Sequence, residues 1–174
     1  MSEGSRRSRD GRGSWSGRGG RTNGRGDDQN YDDFRQPPHD IDAEQGVLGA
    51  MLLSPTLVVD IIETLVPDDF YRPAHQLIYN AIIDLFSNNK EIDPLIVAGR
   101  LDRDNNLERI GGSTYLHTLV SAVPTAANAR YYAEIVAEKA VLRRLVAAGT
   151  RVVQLGYAGT EGAELETLID MAQQ

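Results

Sequence analysis

The stretch that decides the fold is NARYYAEIVAEKAVLRRLVAAGTRVVQLGY, residues 128–157. It contains no proline, and glycine occurs in it only at positions 149 and 156. One helix over these residues, at ~1.5 Å rise per residue, would be about 45 Å long, more than a small globular head can cover. An apolar stripe follows it at helical spacing: Tyr131, Tyr132, Ile135, Leu142, Leu145, Val146, Gly149, Val152, Val153 and Gly156.

The stripe predicts an interaction surface. Ile135, Leu142, Gly149 and Gly156 are seven residues apart, a spacing typical of paired helices. Apolar surface that a head cannot bury is covered by a second copy or a partner, unless the stripe packs back on the head. The candidate self-association and partner-binding residues are therefore Tyr131, Ile135, Leu142, Leu145, Val152 and Val153. The face with Arg143 and Arg144 is a weaker candidate for an acidic partner.

A second helix is predicted to follow a turn at residues 158–160, where Gly159 can adopt the left-handed conformation that ends a helix. This helix starts near Glu161 and has an apolar side of Leu165, Leu168, Ile169 and Ala172. Two helices joined by a short turn form a helical hairpin over residues 128–174. Because the apolar pattern runs to Gln174 without a stop signal, we expect the second helix to be truncated.

A head made only of helices is predicted over residues 37–127, so the fold class is all-α: a small multi-helix head, a long hairpin and a disordered tail. With 6% aromatic residues, the core is expected to be aliphatic. Caps and prolines mark the helices. Asp42 caps the first helix, with Gln45 in the capping-box position, and Ser54-Pro55 opens a second helix over 55–66. Pro73 opens a third that ends near Asn88-Asn89, and Asp93-Pro94 opens a short fourth. After the break at Gly111-Gly112, Ser113 caps a fifth helix that ends at Pro124.

Residues 1–36 form an Arg/Gly-rich tail that is predicted to be disordered, because it cannot bury enough apolar surface to offset the entropy of ordering. Residues 1–26 carry seven arginines and two acidic residues, a net charge of +5. Because the net charge of the whole chain is −7, residues 27–174 carry −12. Such tails bind single-stranded nucleic acid through phosphate charge and guanidinium stacking. Arg12, Arg18 and Arg25 are the candidate contacts, and a plain solubilising linker is the alternative.

Several kinds of site are excluded or disfavoured. A nucleotide-binding P-loop needs Gly before Lys, but Lys90 follows Asn89 and Lys139 follows Glu138. There is no Cys, and His39, His75 and His117 are widely separated, so we predict no metal site.

The remaining polar residues have ordinary structural interpretations. We expect a capping or loop role for His39 and packing or hydrogen bonding for His75 and His117. Asp68 and Asp69 are interpreted as solvated loop charges. No stretch approaches ~18 consecutive apolar residues, so a membrane span is not predicted and a cytoplasmic location is expected.

Several blocks, in order and at compatible spacing over residues 37–174, resemble the amino-terminal (collar) domain of DnaB-type bacterial replicative DNA helicases. The blocks are IDAEQGVLGAMLL at 41–53, DFYRPAH at 69–75, IGG at 110–112, YL at 115–116, VPTAANA at 123–129 and YYAEIVAEKAVLRRL at 131–145.

The resemblance implies a role in DNA replication rather than catalysis by these residues. In that family the hairpins pair, the amino-terminal domains form a trimer-of-dimers collar on a hexameric ring, and primase docks on the collar. The partners that the resemblance implies are a second copy, primase and a helicase loader. The ATP-dependent 5'-3' motor, with its ATP, Mg²⁺ and most contacts to single-stranded DNA, is expected downstream of residue 174, so no cofactor is expected here.

Two other functions remain open. The chain is alternatively a nucleic-acid-binding adaptor that acts through its Arg-Gly tail. A third hypothesis is an uncharacterised helical enzyme, which ATP turnover by the isolated chain would support.

Overall fold

The computed structural model describes residues 36–158, and every regular element in that range is helical, which confirms the all-α prediction. The tail residues Arg12, Arg18 and Arg25 and the second helix of the hairpin lie outside the described residues. The α-helices are α1 Ile41–Leu53, α2 Val58–Ile62, α3 Pro73–Ser87, α4 Pro94–Arg103, α5 Ser113–Ala122 and α6 Ala129–Ala158. Short 3-10 turns lie at Pro55–Leu57, Pro67–Asp69, Glu108–Ile110 and Ala126–Asn128.

Three predicted helix starts or ends are wrong. The capping side chain of α1 is Asp40, which accepts a hydrogen bond from the Ala43 amide at 2.9 Å, because the helix already begins at Ile41. Gly112, at φ +76°, takes the cap position before α5, so Ser113 is the first helical residue. The helix predicted over 55–66 ends at Ile62, because Leu65 packs in the core and its carbonyl oxygen accepts from Tyr79; Val66, which precedes a proline, is extended.

Helix α1 is the centre of the head, where it packs between α5 and α6. Two of its glycines make this possible. A Cβ at Gly46 would lie 2.7 Å from the Tyr132 ring, and one at Gly49 would lie 2.3 Å from the Leu119 carbonyl oxygen. Gly46 and Gly49, three residues apart, therefore allow two helices to approach α1 closely.

Among the described residues no single helix is long and apolar enough to cross a membrane. One pair of helices, Ile41–Leu53 with Pro55–Ile62, reaches the required length and apolar composition only when the two are taken together, and it is bent by 117°.

The core is not purely aliphatic, because two aromatic rings lie at its centre. Phe70 and Tyr79 are fully buried, with their ring centroids 4.8 Å apart. The Tyr79 hydroxyl donates to the Leu65 carbonyl oxygen at 2.7 Å. Burial, and then the negative charge of Asp69, raise the pKa of Tyr79 well above its ordinary value of 10.

The α3–α4 pair matches the sequence prediction closely. Pro73 is the first residue of α3, and Asp93 caps α4 by accepting from the Ile96 amide at 2.8 Å. Between the two helices, the Arg100 guanidinium donates to Asp84 at 2.7 Å. The break at Gly111-Gly112 is also present.

Candidate partner-binding surface

Helix α6 has one face that is buried against the head and one that is exposed. At about 100° per residue, Ala129, Ala133, Val136 and Ala140 share one side of the helix, and all four are buried against the head. The apolar stripe is centred roughly 180° away, on the side that faces away from the head. Helix α6 therefore attaches to the head through small residues and presents larger apolar residues outward.

The outward stripe is exposed. Leu145 is 67% and Tyr131 63% exposed, and Val152, Val153 and Leu142 are also classed as exposed. Packing back on the head, the alternative considered from the sequence, does not describe these five residues. Ile135 differs from them, because it is half-buried and packs against the head core. The role of the stripe in association stays a prediction.

Two consecutive arginines fasten α6 to the head just past its last buried residue. The Arg143 guanidinium donates to the Pro38 carbonyl oxygen at 2.8 Å and also to the Asp69 carbonyl oxygen. Arg144 donates to the Asp69 carboxylate at 2.6 Å. Both arginines thus bind within the chain, but Arg144 is 61% exposed, so the face with Arg143 and Arg144 stays a prediction as a surface for an acidic partner. Beyond this clamp, α6 continues for about 20 Å at ~1.5 Å per residue.

Asp69 is the residue that the sequence interpretation missed. It is only 4% exposed, so its assignment as a solvated loop charge is wrong. One carboxylate oxygen accepts from the Val66 amide at 2.9 Å and the other binds Arg144. The side chain thus holds its own turn and the middle of α6 together, across a sequence separation of 75 residues.

A stacked arrangement extends the clamp to the start of the described chain. The His39 ring stacks on Tyr71 with centroids 4.3 Å apart, and the Arg143 guanidinium lies 5.8 Å from the same Tyr71 ring centroid. His39 Nδ1 also lies 2.6 Å from the Pro37 carbonyl oxygen, and since a carbonyl only accepts, this nitrogen carries a proton. His39 therefore has the loop role predicted from the sequence.

A buried polar network joins α1, α3 and α5. Glu44 and His75 are 1% and 0% exposed, and His75 Nδ1 lies 2.6 Å from the Glu44 carboxylate. His75 Nε2 lies 2.7 Å from the Tyr115 hydroxyl, which accepts from Gln45 and Arg72. The Tyr115 hydroxyl therefore joins three side chains, Gln45, Arg72 and His75.

The hydrogen bonds of this network are made within the chain and link three helices of the head. Its buried carboxylate also accepts from the Tyr71 amide at 2.6 Å, so its oxygens are satisfied by the chain itself. The prediction of a hydrogen-bonding role for His75 is confirmed, whereas His117 is exposed. Within residues 36–158, no group of three or more His, Asp or Glu side chains is arranged to hold a metal ion.

Comparison with known proteins points to one family. A family model described as the DnaB-like helicase N terminal domain matches residues 36–138. The chain is 62% identical over 143 residues to the replicative DNA helicase DnaB of Mycobacterium leprae (strain TN), a match that covers 82% of this chain and 24% of that protein. The chain therefore spans about a quarter of the length of that relative.

Solved structures agree with this assignment. The N-terminal domain of DnaB helicase from Mycobacterium tuberculosis is similar with a TM-score of 0.77 and 62% identity, covering 79% of this chain and 96% of that one. A DnaB-like replicative helicase, solved in a study of its interactions with primase, is similar with a TM-score of 0.58 and 26% identity. That match covers 66% of this chain and 26% of the other.

Proposed function

The chain belongs to the DnaB-like helicase N-terminal domain family, and on that basis we propose that it supports assembly of a replicative helicase ring by pairing of its long helices and recruits primase. Membership confirms the family resemblance read from the sequence. The 174 residues contain no P-loop and match an N-terminal domain, so ATP-driven unwinding is not assigned to them. ATP, Mg²⁺ and translocation on single-stranded DNA are proposed for the part of the relatives that this chain does not match.

The observation that carries the proposal is the uncovered stripe on α6. Its large side chains point away from the head, and the clamp formed by Arg143, Arg144 and Asp69 fixes the helix from which they project. Exposed apolar surface of this kind typically marks an interface. A second copy supplies the same surface by symmetry, so self-association is the simplest way to cover it.

Association through this stripe is tested with Leu142→Asp/Leu145→Asp in the full 174-residue chain. Each buried leucine contributes roughly 1.5–3 kcal/mol to an apolar interface. Because both copies carry the variant, a pair loses four leucines, about 6–12 kcal/mol, which raises the dissociation constant by at least about 10⁴-fold at about 1.4 kcal/mol per tenfold. The matched control is Leu53→Asp/Leu95→Asp, which makes the same change at two exposed leucines of the head, 45% and 79% exposed. Size-exclusion chromatography with light scattering measures mass, and circular dichroism verifies folding.

Two outcomes contradict the proposal. A wild-type chain that stays monomeric at high concentration has no self-association to explain. An oligomer whose mass is the same for the wild type and Leu142→Asp/Leu145→Asp would show that the stripe is not the contact. A lower mass for the stripe variant only, with both variants folded, is the expected result.

Primase recruitment is tested separately, with the cognate primase immobilised on a biosensor. Deleting residues 1–36 distinguishes this proposal from the adaptor alternative, which the +5 charge of residues 1–26 favours. The collar role requires that primase binding survive the deletion. The adaptor role requires single-strand binding that disappears with the tail. Loader binding, a trimer of dimers and a cytoplasmic location stay predictions.

A further inference from the structure

The head holds the second half of α6 at very few points. The last buried residue of this helix is Ala140, and none of its residues within the described range 141–157, which we call the projecting half, is buried. Among the described residues, the hydrogen bonds that join the projecting half to the head come from Arg143 and Arg144. A change in these bonds therefore acts directly on the projecting half.

One of these bonds is made to a short segment that precedes α1, residues 36–40, which we call the strap. The Pro38 carbonyl oxygen accepts from the Arg143 guanidinium at 2.8 Å, across 105 positions of sequence. The next strap residue, His39, stacks on Tyr71, and Arg143 lies near the same Tyr71 ring. The strap and α6 thus meet at one guanidinium and one aromatic ring.

The sequence of the strap suits it to bind as one stiff piece. Pro37 and Pro38 each have a fixed φ, so the strap has few conformations to lose when it binds. Neither proline has an amide hydrogen, so each offers only a carbonyl oxygen to its neighbours. The oxygen of Pro37 binds His39 within the strap, which leaves that of Pro38 for α6. At its downstream end, Asp40 caps α1 and fixes the strap to the head.

The strap is also the junction between the head and the basic tail. Residues 1–35 join the head at Gln36, so a ligand that binds the tail is linked covalently to the strap. Gln36 and Pro37 are exposed, whereas Pro38 and His39 are half-buried. The contact with α6 therefore begins at the third residue after the tail.

We propose that the strap is a latch that couples the basic tail to α6. When bound, it holds the projecting half in place; when released, it lets that half open more often. Release removes one of the two guanidinium hydrogen bonds of Arg143 and the His39–Tyr71 stack, and it leaves the pair of Arg144 with Asp69 intact. The projecting half then stays attached, with a smaller free energy of local opening.

Amide hydrogen exchange of residues 143–150 tests the latch in the full 174-residue chain. His39→Ala removes the stack and should speed this exchange about three- to tenfold. Arg143→Gln removes both guanidinium bonds and should speed it at least about tenfold, because bonds from a charged donor are strong. Circular dichroism verifies that each variant is folded.

Two exposed residues of the same types are the matched controls. His117 is an exposed histidine of α5. Arg151 is an exposed arginine of α6 whose side chain has no hydrogen bond or ion pair with the described residues. His117→Ala and Arg151→Gln should each change the exchange of residues 143–150 by less than about twofold, as surface substitutions do.

The double variant His39→Ala/Arg143→Gln shows whether the strap acts through Arg143. If it does, exchange in the double variant equals that of Arg143→Gln alone, because the strap has already lost its donor on α6. An effect equal to the product of the two single effects would mean that His39 stabilises α6 by another route, and the inference fails. Exchange that His39→Ala leaves unchanged has the same consequence.

Limited trypsin digestion tests the coupling in the other direction. Cleavage after Arg35 requires the protease to bind the residues that follow, which form the strap, whereas cleavage after Arg25 does not. Arg143→Gln should therefore speed cleavage after Arg35 about three- to tenfold, because it raises the population of released strap. Cleavage after Arg25 is the internal control and should stay unchanged.

Equal acceleration at both arginines, or none at Arg35, overturns the latch. These measurements compare variants at a dilution where light scattering finds a monomer, so none of them depends on association. Failure of the latch therefore leaves the proposed function standing, and a chain that never associates leaves the latch to be decided by exchange and digestion alone.

Discussion

Gly49→Ala is the sharpest test of how closely the head is packed. The added methyl group would lie 2.3 Å from the Leu119 carbonyl oxygen and 2.6 Å from Val123 Cγ2. Ordinary contacts are at least ~3.4 Å, so α5 would have to move by about 1 Å. Overpacking of this kind costs about 1–3 kcal/mol, and a backbone neighbour places it at the upper end. Better helix propensity returns about 1 kcal/mol, so the net loss is about 2 kcal/mol.

Gly99→Ala is the matched control in the same head. It makes the same change on the exposed side of helix α4, with no atom near the new methyl group, and should gain up to about 1 kcal/mol of stability. The two variants are thus expected to differ by about 3 kcal/mol and in sign. Urea unfolding followed by circular dichroism measures both. A Gly49→Ala chain as stable as the wild type would refute the close α1–α5 contact.

Three further variants test the clamp, the buried tyrosine and the polar network. Asp69→Asn should cost about 1–2 kcal/mol and Arg144→Gln less than about 1 kcal/mol in urea unfolding, because only the aspartate is buried; equal costs would contradict this. The raised pKa of Tyr79 means that the folded chain holds the phenol proton more tightly than the unfolded chain does. The contribution of Tyr79 to stability is therefore fully present below pH 10 and is lost as pH rises further. Tyr79→Phe should flatten the decline in stability between about pH 10 and 11, and an unchanged slope would contradict the raised pKa. Tyr115→Phe leaves the buried His75 Nε2 without its hydrogen-bond partner and should cost about 1–3 kcal/mol, whereas an unchanged midpoint would argue against the network.

The parts of the fold that sequence predicted well are those set by local chemistry. Pro73 and the Asp93 cap lie where the pattern placed them, because a fixed φ and a side-chain cap act on their own helix. Helix α6 spans 129–158 against a predicted 128–157. The α2 end was wrong because Leu65 packs in the core and its carbonyl accepts from Tyr79, contacts made with another helix.

The candidate surface was predictable only in part. The periodicity of α6 identified its apolar stripe, but it did not show that Ile135 packs against the head. The clamp escaped prediction because Asp69 and Arg144 are 75 positions apart, and two adjacent acidic residues look like surface loop charges in sequence. Burial of Asp69 is a consequence of tertiary packing, which a single sequence does not display.

The clamp at Arg143 and Arg144 also makes α6 a lever. From the clamp to Ala158 the helix extends about 20 Å, and a continuous helix of this length transmits rotation with little bending. A tilt of about 10° at the turn that contains Asp69 would therefore displace the far end by about 3–4 Å, close to a full side-chain contact distance. Small shifts at the turn that contains Asp69 are therefore magnified along the exposed stripe, the surface through which we propose that copies meet.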